Sequence, residues 1–146
     1  MKAPRGFEPV KGKTDVILPE RATEFSAGYD FYCPVDTVLP PHSTVFVVTN
    51  VKAFMLNDEV LKIYARSSLA TQRNIVIRNG VAIIDADYYG NRLNDGNIVI
   101  PLYNDSCSER LIKKFERFAQ GIFEKYLTAD DVVIAERAGG FGSSGV

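Results

Sequence analysis

Ser43-Thr-Val-Phe-Val-Val-Thr49 reads as a β-strand, and it sets the expectation for the whole chain. β-Branched and aromatic side chains fill it, and such residues suit a pleated, half-buried surface. Four runs of the same kind accompany it: Val60-Leu-Lys-Ile-Tyr64, Asn74-Ile-Val-Ile-Arg78, Asn97-Ile-Val-Ile-Pro-Leu102 and Val132-Val-Ile-Ala135. Pro40-Pro41 and Asn57-Asp58 separate the early runs, and Asn94-Asp-Gly96 is a hairpin signal. No window sustains a helical period except Ser67 to Arg73, which predicts a turn or two of helix. Short strands at close spacing predict an all-β sandwich or barrel-like domain. Pro101 lacks an N–H to give to a ladder, so its strand is expected at an edge or bulged.

The 146 residues suit a single domain, with neither an internal repeat nor an interdomain linker. With 46% hydrophobic and 24% charged residues the composition is that of a soluble globular protein. A formal net charge of −1 gives no long-range attraction for a nucleic acid polymer, so any phosphate site must be local. No apolar run approaches the ~20 residues a membrane span needs, which argues against a membrane partner. The N-terminus shows no apolar signal core, so a cytoplasmic location is expected. In that compartment Cys33 and Cys107 read as free thiols without a ligand or nucleophile context. His42 is the only histidine, which argues against a histidine-based triad.

Five stretches hold residues suited to chemistry. In Ala27-Gly-Tyr-Asp-Phe-Tyr32, Gly28 loosens the backbone before Asp30, an apolar-flanked acid in need of a partner. Asp30 suits a metal-bound water or a sugar hydroxyl, or simply a turn. In Ala65-Arg-Ser-Ser-Leu-Ala70, Arg66 is a bidentate phosphate donor and Ser67 and Ser68 add hydroxyls. The alternative there is Ser67 as a helix N-cap with Arg66 on the surface. In the segment from Asn79 to Gly90, an extended chain would put Asp85 and Asp87 on one face. Asp85 follows the apolar run Val81 to Ile84, so it is expected at the rim of the core and partly desolvated, as suits a general base; the alternative is a solvated strand end. Gln120, an amide in the otherwise apolar stretch Phe115 to Phe123, can donate to a phosphate or satisfy nearby backbone. The last nine residues, Ala138 to Val146, hold four glycines and two serines around Phe141. Glycine lets main-chain amides approach an anion closely, and an aromatic face can stack on a base. This reads as a flap over a nucleotide, against the plainer reading of a flexible linker.

Taken in order, these five stretches resemble the five motifs of the trimeric dUTP pyrophosphatases, the dUTPases. Ala27-Gly-Tyr-Asp30 resembles the first, Arg66-Ser-Ser-Leu-Ala70 the second and Ile84-Asp-Ala-Asp-Tyr-Tyr-Gly90 the third. Arg117-Phe-Ala-Gln120 resembles the fourth and Gly139-Gly-Phe-Gly-Ser-Ser-Gly145 the fifth. The resemblance implies an all-β domain over residues 1–136, a distorted β-barrel or jelly-roll-like (β-clip) fold with one short helix, and a glycine-rich flap over residues 137–146. It implies a homotrimer with shared active sites that hydrolyses dUTP to dUMP and pyrophosphate with magnesium (Mg2+). By the motif match Asp85 is the base that activates water, Asn79 and nearby backbone read uracil, and Tyr88 packs against the deoxyribose. Arg66, Ser67, Ser68 and Gln120 hold phosphates, and Asp30 reaches the metal through water. Phe141 stacks on the base while Arg137, Gly142, Ser143 and Ser144 close over the triphosphate.

The chain departs from the family pattern in several places. Ala82 and Phe115 stand where many members have glycine, and Tyr89 replaces a commonly polar or basic residue. Only Ala138 separates Arg137 from the glycine pair, and the loop Asn91 to Asn97 is long. These details look more like the dUTPases of Gram-positive bacteria and their phages. A rival on a related fold, a dCTP deaminase, would be expected to use a glutamate near the base, and no glutamate lies between Val60 and Ser108. A second rival, a non-catalytic nucleotide-sensing or partner-binding module, would be expected to lack the acid or the flap.

Overall fold

The structure is a computed structural model that describes residues 2–129 and 135–140. Among these residues twelve strands form, in the order β1 (Gly6–Pro9), β2 (Glu20–Arg21), β3 (Tyr29–Tyr32), β4 (Thr37–Leu39), β5 (Thr44–Val48), β6 (Val51–Phe54), β7 (Glu59–Ala65), β8 (Ile75–Ile77), β9 (Ala82–Asp85), β10 (Val99–Asn104), β11 (Arg110–Ile112) and β12 (Arg117–Lys125). One helix, α1 (Ser67–Arg73), follows β7, and a 3-10 turn, Ala86–Tyr88, follows β9. All pairings are antiparallel. They make four sheets: β1–β6, β5–β10–β8, β11–β4 and β2–β3–β12–β7–β9. The domain is therefore all-β with one short helix, and no closed barrel is formed among the described residues.

Period-two alternation builds the core. Leu61 and Ile63 of β7 point inward with Phe31 of β3, Phe118 of β12 and Ile100 and Leu102 of β10, all essentially inaccessible to water. Each such side chain contributes roughly 1.5–3 kcal/mol on burial. On β9 the same alternation buries Ala82 and Ile84 and turns Ile83 and Asp85 outward.

Some local expectations are corrected. Pro101 is not on an edge: β10 lies between β5 and β8. It faces Phe46 of β5, and the β8 pairing begins only at Leu102, so its missing N–H is not required there. Asn94-Asp-Gly96 does not close a hairpin, because β9 before it pairs with β7 and β10 after it with β5 and β8, although Asp95 and Gly96 take φ of +62° and +90°. Asparagine side chains capture that loop instead, as detailed below. The run at 132–134 lies outside the described residues, and Ala135 is not in a strand. Phe115, in place of glycine, takes φ +67° in the turn before β12, where its N–H donates to the Cys33 carbonyl at 2.6 Å.

Candidate active site

The tight turn Asn79-Gly80-Val81 joins β8 to β9, with Gly80 at φ +80° and its N–H bonded to the Ile77 carbonyl at 2.9 Å. Beside this turn lies a cavity of about 250 Å³. Ala82, Ile84, Val99 and Pro101 give it apolar walls, and Asn79, Asp85, Tyr88 and Arg137 bring polar groups to it. Apolar walls with a few convergent polar groups are the usual form of a small-molecule site. Tyr88 is buried, and its ring lies against Gly140, where a Cβ would come within 3.2 Å of Cε1.

Asp85 ends β9 at the mouth of the cavity. It is more open than the sequence predicts, with its side chain 51% accessible rather than tucked into the core rim, because alternation turns it outward. Asp87 sits in the 3-10 turn rather than in an extended strand, so the two acids do not share a strand face. They nonetheless converge on one cation. Arg137 donates through Nη2 to Asp85 Oδ2 and through Nε to Asp87 Oδ1 at 3.0 Å, and its Nη1 donates to the Gly139 carbonyl at 3.0 Å. Burial by itself lowers the pKa of this guanidinium, but the hydrogen bond and charge of Asp87 and the charge of Asp85 outweigh it and the net shift is upward. Within this one chain, Arg137 is thus held on carboxylates.

The other marked residues gather elsewhere. Asp30, Arg66, Ser67, Gln120 and Gly28 line a separate groove on the five-stranded sheet. Gln120 of β12 lies directly opposite Asp30 of β3, so the two share a face. The Arg66 N–H donates to the Phe118 carbonyl at 3.2 Å and fixes the exit from β7. Arg66, not Ser67, occupies the N-cap position of α1, and no side chain bonds the helix start. This removes the capping reading of Ser67, which is exposed, while Ser68 in the same turn is half-buried. The partner that Asp30 wants is Arg117, whose Nη1 is 3.5 Å from Oδ2. Gly28 needs no unusual backbone; a Cβ there would lie 2.5 Å from Gln120 Oε1, so its role is space. Because the obstructed atom ends a flexible side chain, Gly28→Ala is expected to leave the melting temperature nearly unchanged. It should displace the Gln120 amide and lower kcat/KM by about tenfold, as misplacement of a positioning group does. Unaltered kcat/KM would separate Gln120 from the site.

The two groups are far apart within the chain. Asp85 lies opposite Val60 on β7, whereas Arg66 follows the far end of that strand. Six residues at the strand rise of ~3.3 Å put them roughly 20 Å apart. Phe141, Gly142, Ser143 and Ser144 lie outside the described residues.

Sequence reasoning missed Asn94 and Asn97, which bond the Tyr88 hydroxyl; the only signal was asparagine recurring at 91, 94 and 97. It also missed that Cys107 has context: His42 Nε2 is 3.5 Å from its Sγ, 65 residues away in sequence. Cys33 is buried, and burial pushes its thiol pKa up; both cysteines are free. Among the described residues no helix is long and apolar enough to cross a membrane.

The family model for dUTPase matches residues 14–145. The deoxyuridine 5'-triphosphate nucleotidohydrolase of Lactococcus lactis subsp. lactis is 39% identical over 146 residues, 97% of each chain. The crystal structure of dUTPase from Streptococcus mutans superposes with a TM-score of 0.82 at 37% identity, over 86% of this chain and 99% of that one. A mutant dUTPase from phage phi11 of S. aureus, described with a structural Mg(II) ion, superposes at 0.73 over 91% and 97%, and at 18% identity that likeness shows the fold.

Proposed function

We propose that this chain, which belongs to the dUTPase family and is a dUTP diphosphatase, works as a homotrimer whose active sites are each assembled from more than one copy. The separation of Asp85 from Arg66 and Gln120 carries this reading. A general base must lie within about 3 Å of the water it activates, and phosphate donors within about 3 Å of phosphate oxygens. One chain cannot satisfy both across the sheet, but two copies can face the halves toward each other.

In the assembled site the cavity takes the nucleoside. The Asn79 hairpin offers backbone and side-chain groups of fixed polarity to uracil, and a mismatched base would leave buried groups unpaired. Tyr88 packs against the deoxyribose. The other copy presents Arg66, Ser67 and Gln120 of its groove to the phosphates, together with Ser68 from the same turn of α1. Asp85 accepts a proton from water as its oxygen bonds to phosphorus, and the bond to the departing pyrophosphate breaks. Arg137 must leave the carboxylates for this to happen, since its Nη2 occupies the Asp85 oxygen that would take the proton. It then serves the triphosphate with Phe141, Gly142, Ser143 and Ser144 in a flap over residues 137–146, beyond a domain of residues 1–136.

Magnesium fits these residues only as an ion carried by the substrate. Among the described residues no group of three or more His, Cys, Asp or Glu could cage it. The triphosphate and waters would supply most ligands, with Asp30 reaching it through water, and the bound ion would neutralise phosphate charge.

The test is incubation with each deoxynucleoside triphosphate and magnesium, with products identified. dUMP and pyrophosphate from dUTP, with dCTP nearly untouched, are expected. Ammonia from dCTP, or no dUMP from dUTP, would overturn the reading. The deaminase alternative is not favoured, given the family match and the absence of a glutamate between Val60 and Ser108.

The flap has its own test. Deleting residues 138–146 is expected to leave the domain folded and to remove most activity, because closure excludes water and completes the phosphate cage. Phe141→Ala should reproduce part of the loss, about 5- to 150-fold in binding for one base–aromatic stack. Full activity after deletion would return the segment to a linker.

A further inference from the structure

We propose that the loop Asn91–Asn97 is a clamp that fixes the Tyr88 ring, and that Asn94 is a positioning residue for discrimination between deoxyribose and ribose. This rests on the reading that the cavity takes dUTP. Tyr88 is buried, and its hydroxyl both donates and accepts inside the loop. It donates to the Asn97 carbonyl at 2.7 Å and accepts from Asn94 Nδ2 at 2.8 Å.

Asn94 is itself held. Its Oδ1 accepts from Asn91 Nδ2 at 2.8 Å and from the Gly96 N–H at 3.1 Å. Asn91 Oδ1 in turn accepts from the N–H groups of Leu93 and Asn94 at 3.0 and 3.1 Å, and its Nδ2 also donates to the Tyr88 carbonyl at 2.7 Å. Gly96 permits this closure: at φ +90°, a Cβ there would lie 2.9 Å from Tyr89 Cα. Outside ties anchor the whole. Asn97 Oδ1 accepts from the Asn50 N–H at 2.9 Å, and Asp95 Oδ2 accepts from Lys52 Nζ at 2.8 Å. The tyrosine is therefore fixed at both ends, by the 3-10 turn at its backbone and by the loop at its hydroxyl.

This matters because an apolar pocket alone rejects an added hydroxyl weakly, by about 10²-fold. A wall excludes one extra oxygen only if the wall does not yield. Tilting Tyr88 away from a 2′-hydroxyl would break both of its hydrogen bonds at once. A donor and an acceptor on one short side chain are needed at position 94, which asparagine supplies and alanine does not.

The experiment compares kcat/KM for dUTP and UTP in the parent, Tyr88→Phe, Asn94→Ala and the double variant. Each single change is expected to lower the dUTP-to-UTP ratio by about tenfold, chiefly by raising the use of UTP. The double variant should fall no further, since both changes remove the same contact. A merely structural role would lower both substrates equally, and that result would overturn the clamp, as would an unchanged ratio or losses that multiply in the double variant. Should Asn94→Ala lose its fold by circular dichroism, Tyr88→Phe decides alone, because it leaves the bonds between Asn91 and Asn94 intact. Failure of the parent to hydrolyse dUTP would sink the functional reading and the clamp's role with it. Normal hydrolysis with an unchanged ratio sinks the clamp alone.

Discussion

Asp85→Asn is expected to bind dUTP about as well as the parent and to turn it over about 10²–10⁴-fold more slowly, the range general-base catalysis commonly contributes. The amide keeps the size of the side chain and can still accept one hydrogen bond, but it cannot take a proton from water. Folding should be little affected. Asp85 is half exposed, and ion pairs of that exposure contribute ~0–1 kcal/mol. Arg137 also keeps its bond to Asp87. Single-turnover rates, together with affinity for a non-hydrolysable analogue, separate chemistry from binding. A kcat near the parent's would remove Asp85 as the base and make Asp87 the next candidate.

The second large effect is a recovery. Asp85→Asn and Gln120→Ala damage different halves of the site, which lie at opposite ends of β7 in one chain. Asp85→Asn alone should be nearly inactive and Gln120→Ala alone reduced at least about tenfold. Refolded together, they should regain activity at about a quarter of the sites by random pairing, where an intact cavity from one copy meets an intact groove from another. A mixture no more active than the mean of its parts would show that each chain carries a complete site, and the shared assembly would fall.

Much of the fold was legible in the sequence because strands with one buried face must alternate. Ser43–Thr49, Val60–Tyr64, Asn74–Arg78 and Asn97–Leu102 each became a strand, and Ser67–Arg73 became α1. The shorter strands, β2 and β11 among them, carry too few residues for a period to show. Pro101 misled because the edge rule concerns a missing N–H, and no neighbour calls on it here. At the site, residue identities were legible but their grouping was not. Asn79, Asp85 and Tyr88 are close in sequence and share a cavity. Asp30, Arg66 and Gln120 are distant in sequence and share a groove, because β3, β12 and β7 are neighbours. Nothing in a linear chain tells that these two clusters lie at opposite ends of β7, roughly 20 Å apart. The asparagine clamp was illegible for another reason: asparagine is ordinary in loops, and only three-dimensional closure turned these three toward one hydroxyl.

Phe115 holds a left-handed backbone conformation that costs a residue with a Cβ ~1–2 kcal/mol. Net folding stability is commonly only about 5–15 kcal/mol, so this single turn withholds a sizeable share of it. Strain of this kind is often part of a mechanism, yet Phe115 lines neither the Asp85 cavity nor the Gln120 groove. The chain therefore stands below the stability its own fold permits, at a point its chemistry does not touch. That shortfall is also room for change: relieving one turn would offset one moderately destabilising substitution elsewhere, and so widen the range of sequences this active site can tolerate.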